Sequence, residues 1–317
     1  MTKFTPKSAE LDLLVINQVA GPLMLDLLEE LELNGIRSAL VTGYMENPHG
    51  GKMRFRVISA PELKKAPQWK RLWTWGKFSL RAALAAIRYR RVPMLVVTNP
   101  PLTMLLMPWL KRLFGCRYAI LQYDIYPDVL VKMGYVGQNS AIARLWRKLS
   151  RKAMLQSEAV FTLGNRMAET LQRHFQPGDR SNIVVIPNWA DTEFVKPLSK
   201  SENPFARKHC LTNKFVVMYS GAFGATHNIE SIVQAARRLA DDKTVHVVLI
   251  GGGTRQAEVE ELVRKHPTDN LALLPFQPFE ELKHTFPTAD CAIVCLDEGY
   301  AGLSVPSKTY YALAAGA

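Results

Sequence analysis

The chain is poor in cysteine and in unbroken hydrophobic length and, over one stretch, has no acid at all. Its 317 residues include four cysteines, Cys116, Cys210, Cys291 and Cys295. No two form a CxxC pair and none has a histidine at ligand spacing. That argues against a zinc site or a disulfide framework and for a reducing compartment. Cys291 and Cys295 fall in the apolar run CAIVCL and are expected to be small core residues. The longest apolar run, VPMLVVTNPPLTMLLMPWL over 92–110, is broken by Asn99-Pro100-Pro101. It therefore reads as strand, loop and helix rather than as a membrane span. Met1–Glu10 has neither the apolar core nor the cleavage pattern of a secretory leader, so the chain is read as not secreted. Internal repeats, low-complexity segments and recognised nucleic-acid modules are missing too, and no nucleic-acid partner is expected. The formal net charge of +12 points instead to an anionic membrane surface or phosphorylated small molecules.

Apolar content of 48% and charged content of 21% are those of a globular protein. Strand-length apolar runs alternate with helical patterns. LDLLVI (11–16), SALVT (38–42), MLVVT (94–98), RYAILQY (117–123), AVFTL (159–163) and NIVVIP (182–187) are separated by expected helices over 22–34, 77–90, 102–114, 139–156 and 165–175. Residues 188–213 are polar, contain Pro197 and Pro204, and break the pattern. It restarts with FVVMYSG (215–221), VHVVLIGGG (245–253), LALLP (271–275) and CAIVCL (291–296), with helices over 229–240, 255–265, 279–286 and 306–315. Continuous apolar strands separated by helices imply parallel sheets covered on both faces. The expectation is an α/β protein of two Rossmann-like, doubly wound domains facing across a cleft: 1–195, a linker over 196–213, and 214–317.

Strands of the second half end in loops suited to close backbone approach: Gly221-Ala222-Phe223-Gly224, Gly251-Gly252-Gly253, and Gly302 to Lys308. Glycine lets a phosphate approach the main chain, and a helix N-terminus offers free N–H groups and partial positive charge. Pro306 suits a first helical turn and Lys308 adds a full charge there. The alternative is that tight strand-to-helix turns simply need glycine. Gly251–Gly253 is not GxGxxG and no acid follows at the fingerprint position, which disfavours a dinucleotide. Residues 64–91 hold nine basic residues, among them Lys70, Arg71, Lys77, Arg81 and Arg88, and no acidic one, with Trp69, Trp73 and Trp75 interleaved. Trp73, Trp75, Lys70, Arg71, Arg81 and Arg88 are assigned to an anionic bilayer surface, where tryptophan sits at headgroup level and basic side chains meet lipid phosphate. The alternative is a solvated basic face with the tryptophans in a core.

VVTNPPL, YDIYPDVL, VIPNWADTEFVKP, YSGAFGATHNIESIVQAARRL, LIGGG and GLSVPSKTYYALAAG occur in this order over nearly the whole chain. This set resembles bacterial family 4 glycosyltransferases of the GT-B fold, in the subgroup that builds colanic acid, other exopolysaccharides and O-antigens. The resemblance implies a retaining, metal-independent hexosyl- or N-acetylhexosaminyl-transferase with no cofactor, using a UDP- or GDP-linked sugar. It implies a polyprenyl-diphosphate-linked saccharide acceptor and a place at the inner face of the plasma membrane. Carried over by residue, it sets the donor diphosphate at Leu303, Ser304, Ser307 and Lys308, with Gly221, Gly224 and His227 flanking it. Gly251 and Gly252 lie by the nucleotide, Phe276 by the base and Glu298 by the donor sugar. Asp124 and Asn99 lie on the acceptor side, and Asp124, His227 and Glu298 are the catalytic candidates. Asp124 as a turn cap and His227 as a helix cap are the competing structural readings.

This chain departs from the broader family where two glutamates are usual, having Leu303 and Tyr311 instead. Family members also continue past the final glycine, so the second domain is expected to be incomplete and the chain as given inactive in transfer. Two other classes stay open: a nucleotide-sugar-binding scaffold without catalysis, and a GT-B nucleotide-sugar epimerase.

Overall fold

The computed structural model describes residues 11–47, 50–64, 68–180, 182–224, 227–297 and 299–317. The expectations placed on Met1–Glu10 and on Glu298 lie outside the described residues. The chain divides into two compact units, one running to Pro187 and including Gly302–Val305, the other holding Asn188–Ala301 and Pro306–Ala317.

In the first unit, parallel strands are β1 (Leu13–Ile16), β3 (Ser38–Thr42), β5 (Arg56–Ser59), β6 (Met94–Val97), β7 (Tyr118–Gln122), β8 (Val160–Thr162) and β9 (Ile183–Val185), in the order β5-β3-β1-β6-β7-β8-β9. A two-stranded pair, β2 (Val19–Ala20) and β4 (Tyr44–Met45), lies beside them. All five residues of β3 are buried, as the apolar run SALVT requires of a strand covered on both faces. The edge strand β5 alternates half-buried and exposed residues. Its two apolar residues are adjacent and so face opposite sides, Ile58 half-buried and Val57 exposed, which leaves no strand-length apolar run to read in the sequence.

The helices are α1 (Pro22–Leu33), α2 (Gln68–Arg88), α3 (Pro101–Phe114), α4 (Asp128–Lys132), α5 (Ala141–Gln156) and α6 (Asn165–Gln172). Helix α3 opens on Pro100-Pro101, where no N–H is missed, and closes on Gly115 at φ 74°. Ser140 caps α5 by accepting from the Ala143 N–H at 3.2 Å. Helix α2 begins well before the expected position 77, since Lys70 to Gly76 extend the same periodicity.

In the second unit, parallel strands β10 (Phe215–Ala222), β11 (Val245–Gly252), β12 (Leu271–Leu274) and β13 (Cys291–Ala292) are ordered β12-β11-β10-β13. Successive residues of β10 face opposite sides, Tyr219 packing with Val233 and Leu249 and Met218 with Phe205 and Ile250. Its helices are α7 (Pro204–Lys208), α8 (Ile229–Arg238), α9 (Gln256–Lys265), α10 (Leu282–Thr285) and α11 (Lys308–Ala315).

Two expectations need correction here. The stretch 196–213 is not a free linker. Pro204 starts α7 rather than breaking structure, and Phe205, Ala206 and Leu211 enter the core. Buried Asn203 caps α7 and donates to the His284 carbonyl and to Thr288 Oγ1, at 2.7 and 2.9 Å. CAIVCL forms strand only at Cys291–Ala292, the outermost of the four, and Cys291 is exposed rather than core. Cys295 is half-buried against the Tyr219 side of the sheet.

Candidate functional site

In the second unit the site begins where β10 and β11 end. Gly221 pairs with Gly251 in register. A Cβ on Gly251 would stand 1.9 Å from the Gly221 carbonyl oxygen. This glycine therefore serves the packing of its own sheet. Its expected role at the nucleotide is not what forbids a side chain there. Gly221, at φ 151°, leaves space for Lys308, whose Nζ would be 2.8 Å from a Cβ at that position.

Lys308 is the first residue of α11, and its Nζ stands 3.8 Å from the centroid of the Tyr219 ring. The ring is held by its own hydroxyl, which donates to the Ala222 carbonyl at 2.7 Å. Among the described residues the buried Nζ has no hydrogen-bond partner. Burial pulls the ammonium down to about 8, while Cys295 opposes the shift. A cation facing only a π-cloud lacks the acceptors an ammonium ordinarily has, and a phosphoryl oxygen would supply one.

His227 meets the same Tyr219 ring edge-on at 6.1 Å. Burial, then Lys308, lower its proton affinity, with Asp297 opposing. It does not cap α8, because Asn228 does so by accepting from the Ser231 N–H. A Cβ on Gly224 would stand 3.5 Å from His227 Nδ1, and one on Gly252 3.3 Å from the exposed Phe276 ring. Gly221, Gly224, His227 and Lys308 are thus brought together around Tyr219, with Gly252 and Phe276 adjoining each other. Tyr219 escaped the sequence reading, although a tyrosine inside VVMYS needs a partner for its hydroxyl. Ser307 is exposed and makes no side-chain capping bond.

Leu303 and Ser304 lie with the first unit. The Leu303 carbonyl accepts from the Ile125 N–H at 3.0 Å, and Ser304 forms a β-bridge with Asp124. A Cβ on Gly302 would come within 2.6 Å of Thr170 Oγ1. The expected continuous turn through Lys308 is therefore divided, its first part packing on the strap after β7.

That strap carries Asp124. Burial pushes its carboxyl up to about 6, and the Arg71 guanidinium opposes the shift. Asp124 caps no helix, since α4 starts at Asp128 with Pro127 in the cap position. Asn99 closes β6, its carbonyl accepting from the Gln18 N–H at 2.7 Å. Around these strand ends, Asn17 Oδ1, Gln18 Oε1 and Gln122 Oε1 are buried without a hydrogen-bond partner among the described residues.

The bilayer assignments divide. Lys70, Trp73, Arg81 and Arg88 are exposed on α2, but Trp75 is 3% exposed and Arg71 turns inward. Arg71 lies 4.8 Å over the Trp75 ring, and its charge acts on the Tyr126 hydroxyl. The reason is helical phase: 71, 75, 78, 82 and 89 share the inward face of α2, which packs against α3. The outer face instead shows Trp69, Leu72, Trp73, Leu80 and Leu84. Lys70 and Lys77 stand over the rings of Trp69 and Trp73 at 5.3 and 5.0 Å. No described helix is long and apolar enough to cross a membrane, and the described residues include no cluster of three or more metal-ligating side chains.

Each of two parallel sheets thus has a buried ionisable group near its strand ends, Asp124 in the first unit and Lys308 in the second. The chain belongs to the glycosyl transferase 4-like family, whose domain matches residues 20–189, and residues 201–305 match glycosyl transferases group 1. It is 29% identical to a probable glycosyltransferase, WbjE, of Pseudomonas aeruginosa over 69% of its length and 54% of the relative's. It is 24% identical to WcaI of Escherichia coli, a putative colanic acid biosynthesis glycosyl transferase, over 78% of this chain and 62% of that one. The chain thus spans little more than half the length of these curated relatives. HepE of Anabaena, solved with UDP-glucose, superposes with a TM-score of 0.66 at 14% identity, covering 96% of this chain and 78% of that one. The fold is GT-B.

Proposed function

We propose that the protein transfers a sugar from a nucleotide-diphosphate donor, held by the second unit, to a lipid-linked saccharide acceptor on the first. The observation that carries this is the unpartnered Nζ of Lys308 above Tyr219. The UDP-glucose bound by HepE supports a uridine nucleotide, and the names of WbjE and WcaI support surface-polysaccharide biosynthesis. In the reaction the anomeric C–O bond to phosphate breaks and a C–O bond to the acceptor hydroxyl forms. The hydroxyl proton passes to a phosphate oxygen of the leaving diphosphate, on the same face of the sugar, so configuration is retained and neither a strong base nor a metal is needed.

Lys308 stabilises the charge that develops on the diphosphate. Phe276 lies by the base, while Asp124, ionised at neutral pH, orients the acceptor hydroxyl. The basic and aromatic outer face of α2 seats the protein on the inner face of the plasma membrane. A panel of UDP- and GDP-sugars screened by thermal unfolding tests the donor reading. A matching donor at a hundred times its Kd adds about 2.7 kcal/mol of stability. A panel with no stabilising nucleotide would refute it.

A further inference from the structure

Beside Asp124, where the inward face of α2 meets Tyr126 and α5, two indole N–H groups have no acceptor among the described residues. Trp75 meets the Tyr126 ring edge-on and Trp146 stacks on it, both at 6.2 Å between centroids. Among the described residues, the buried Nε1–H groups of Trp75 and Trp146 have no hydrogen-bond partner. Indole nitrogen donates and never accepts, and the same holds for guanidinium. Arg71 joins the cluster over the Trp75 ring, 4.8 Å from its centroid. Leaving two buried donors unmade in one cluster is costly and uncommon in a folded protein. The cluster continues into an apolar wall of Leu63, Leu102, Leu130 and Val136. Asp124 and Arg71 act on each other here, and both act on Tyr126.

We infer that Arg71, Trp75 and Trp146 form the seat for the phosphoryl group of the acceptor lipid, with its first apolar carbons against Leu102 and Leu130. The chemistry is specific in kind. Two neutral N–H donors and one cation, with no free acceptor among them, call for a ligand that brings oxygen acceptors and negative charge. The apolar wall calls for a chain on the same ligand. A free sugar brings neither the charge nor the chain. The inference rests on the reading of the first unit as the acceptor side. It assigns to Arg71, a residue of the membrane-seated helix, the task of fixing the acceptor's head.

The test uses the full chain labelled with 15N at its indoles and carrying K308A, so that the second unit does not capture the diphosphate. Wild-type protein saturated with UDP serves the same purpose should K308A fold poorly. W75F and W146F assign the two signals. Geranyl diphosphate is expected to move both downfield and saturably, geraniol to leave them in place, and R71Q to weaken the effect by about tenfold or more. Stationary indole signals, an equal response to geraniol, or indifference to R71Q would overturn the assignment. If phosphatidylglycerol vesicles move the signals as geranyl diphosphate does, the seat belongs to bulk lipid headgroups and not to an acceptor. UDP titration of unmodified protein, read by thermal shift, reports on the donor site separately.

Discussion

Lys308 and Asp124 hold opposite charges in opposite halves of the chain, and burial works against both. It draws the lysine down to about 8 and pushes the aspartate up to about 6. The surroundings differ. Asp124 has Arg71 to offset its burial, whereas Lys308 has the face of Tyr219 and the weak help of Cys295. Arg71 offsets part of the first burial and leaves the carboxyl raised. The second is left for something else to balance, as suits a residue meant for a dianionic ligand. Both are ionised only between about pH 6 and pH 8.

The largest effect that sharpens this contrast lies outside both sites. Replacing Lys70, Arg81 and Arg88 by glutamine should cost roughly 3 kcal/mol of affinity for anionic liposomes, at about 1 kcal/mol per charge. Nucleotide affinity should not move, and sedimentation with vesicles at low and high salt measures the first. Next, G251A drives a methyl into the Gly221 carbonyl and should destabilise the protein by about 3 kcal/mol in urea unfolding. A smaller change would mean the strand ends yield.

K308A should lower affinity for UDP by roughly 1.5–3 kcal/mol and leave uridine unchanged. In wild type, calorimetric UDP affinity should fall as pH rises through about 8, and K308R should flatten that limb because arginine stays protonated. Equal losses for UDP and uridine would break the assignment. Smallest of all, K308M should raise the stability of the ligand-free protein by about 1 kcal/mol, discounted because the side chain is only partly buried. The sign follows from linkage. The folded lysine loses its proton at lower pH than the unfolded one, so wild-type stability climbs from about pH 8 upward and the K308M advantage shrinks over the same range.

Much of this was legible in the residues. Runs such as SALVT and VHVVLI can only be strands covered on both sides, and glycine at the ends of β10 and β11 marked the loops beside Lys308. Lys308 was found from its place after a Gly-containing turn. The inward turn of Arg71 was also legible in principle. Trp75, Phe78, Ala82 and Tyr89 lie on its face at helical spacing, but the segment was judged by its composition rather than its phase. Other features were out of reach. That Tyr219 lies beneath Lys308, that Trp146 stacks on Tyr126, and that Ser304 pairs with Asp124 are contacts between residues far apart in the chain, and no local pattern encodes them. Helix α7 was missed because Pro204 reads as a breaker until Asn203 is seen to be a buried cap.

The packing around Gly221 has a consequence for how such a sequence can drift. The Gly221 carbonyl occupies the space where Gly251 would carry a side chain, and the Lys308 ammonium occupies the space where Gly221 would carry one. The first clash is with backbone, and the second position is also held by its own φ of 151°, so of the three only Lys308 can change alone. A saturation library would show two intolerant columns, 221 and 251, beside a permissive one at 308, where shorter residues fold and the donor's counter-charge is lost. Relatives that bind their donor without a lysine here should therefore still keep the glycine at this strand end.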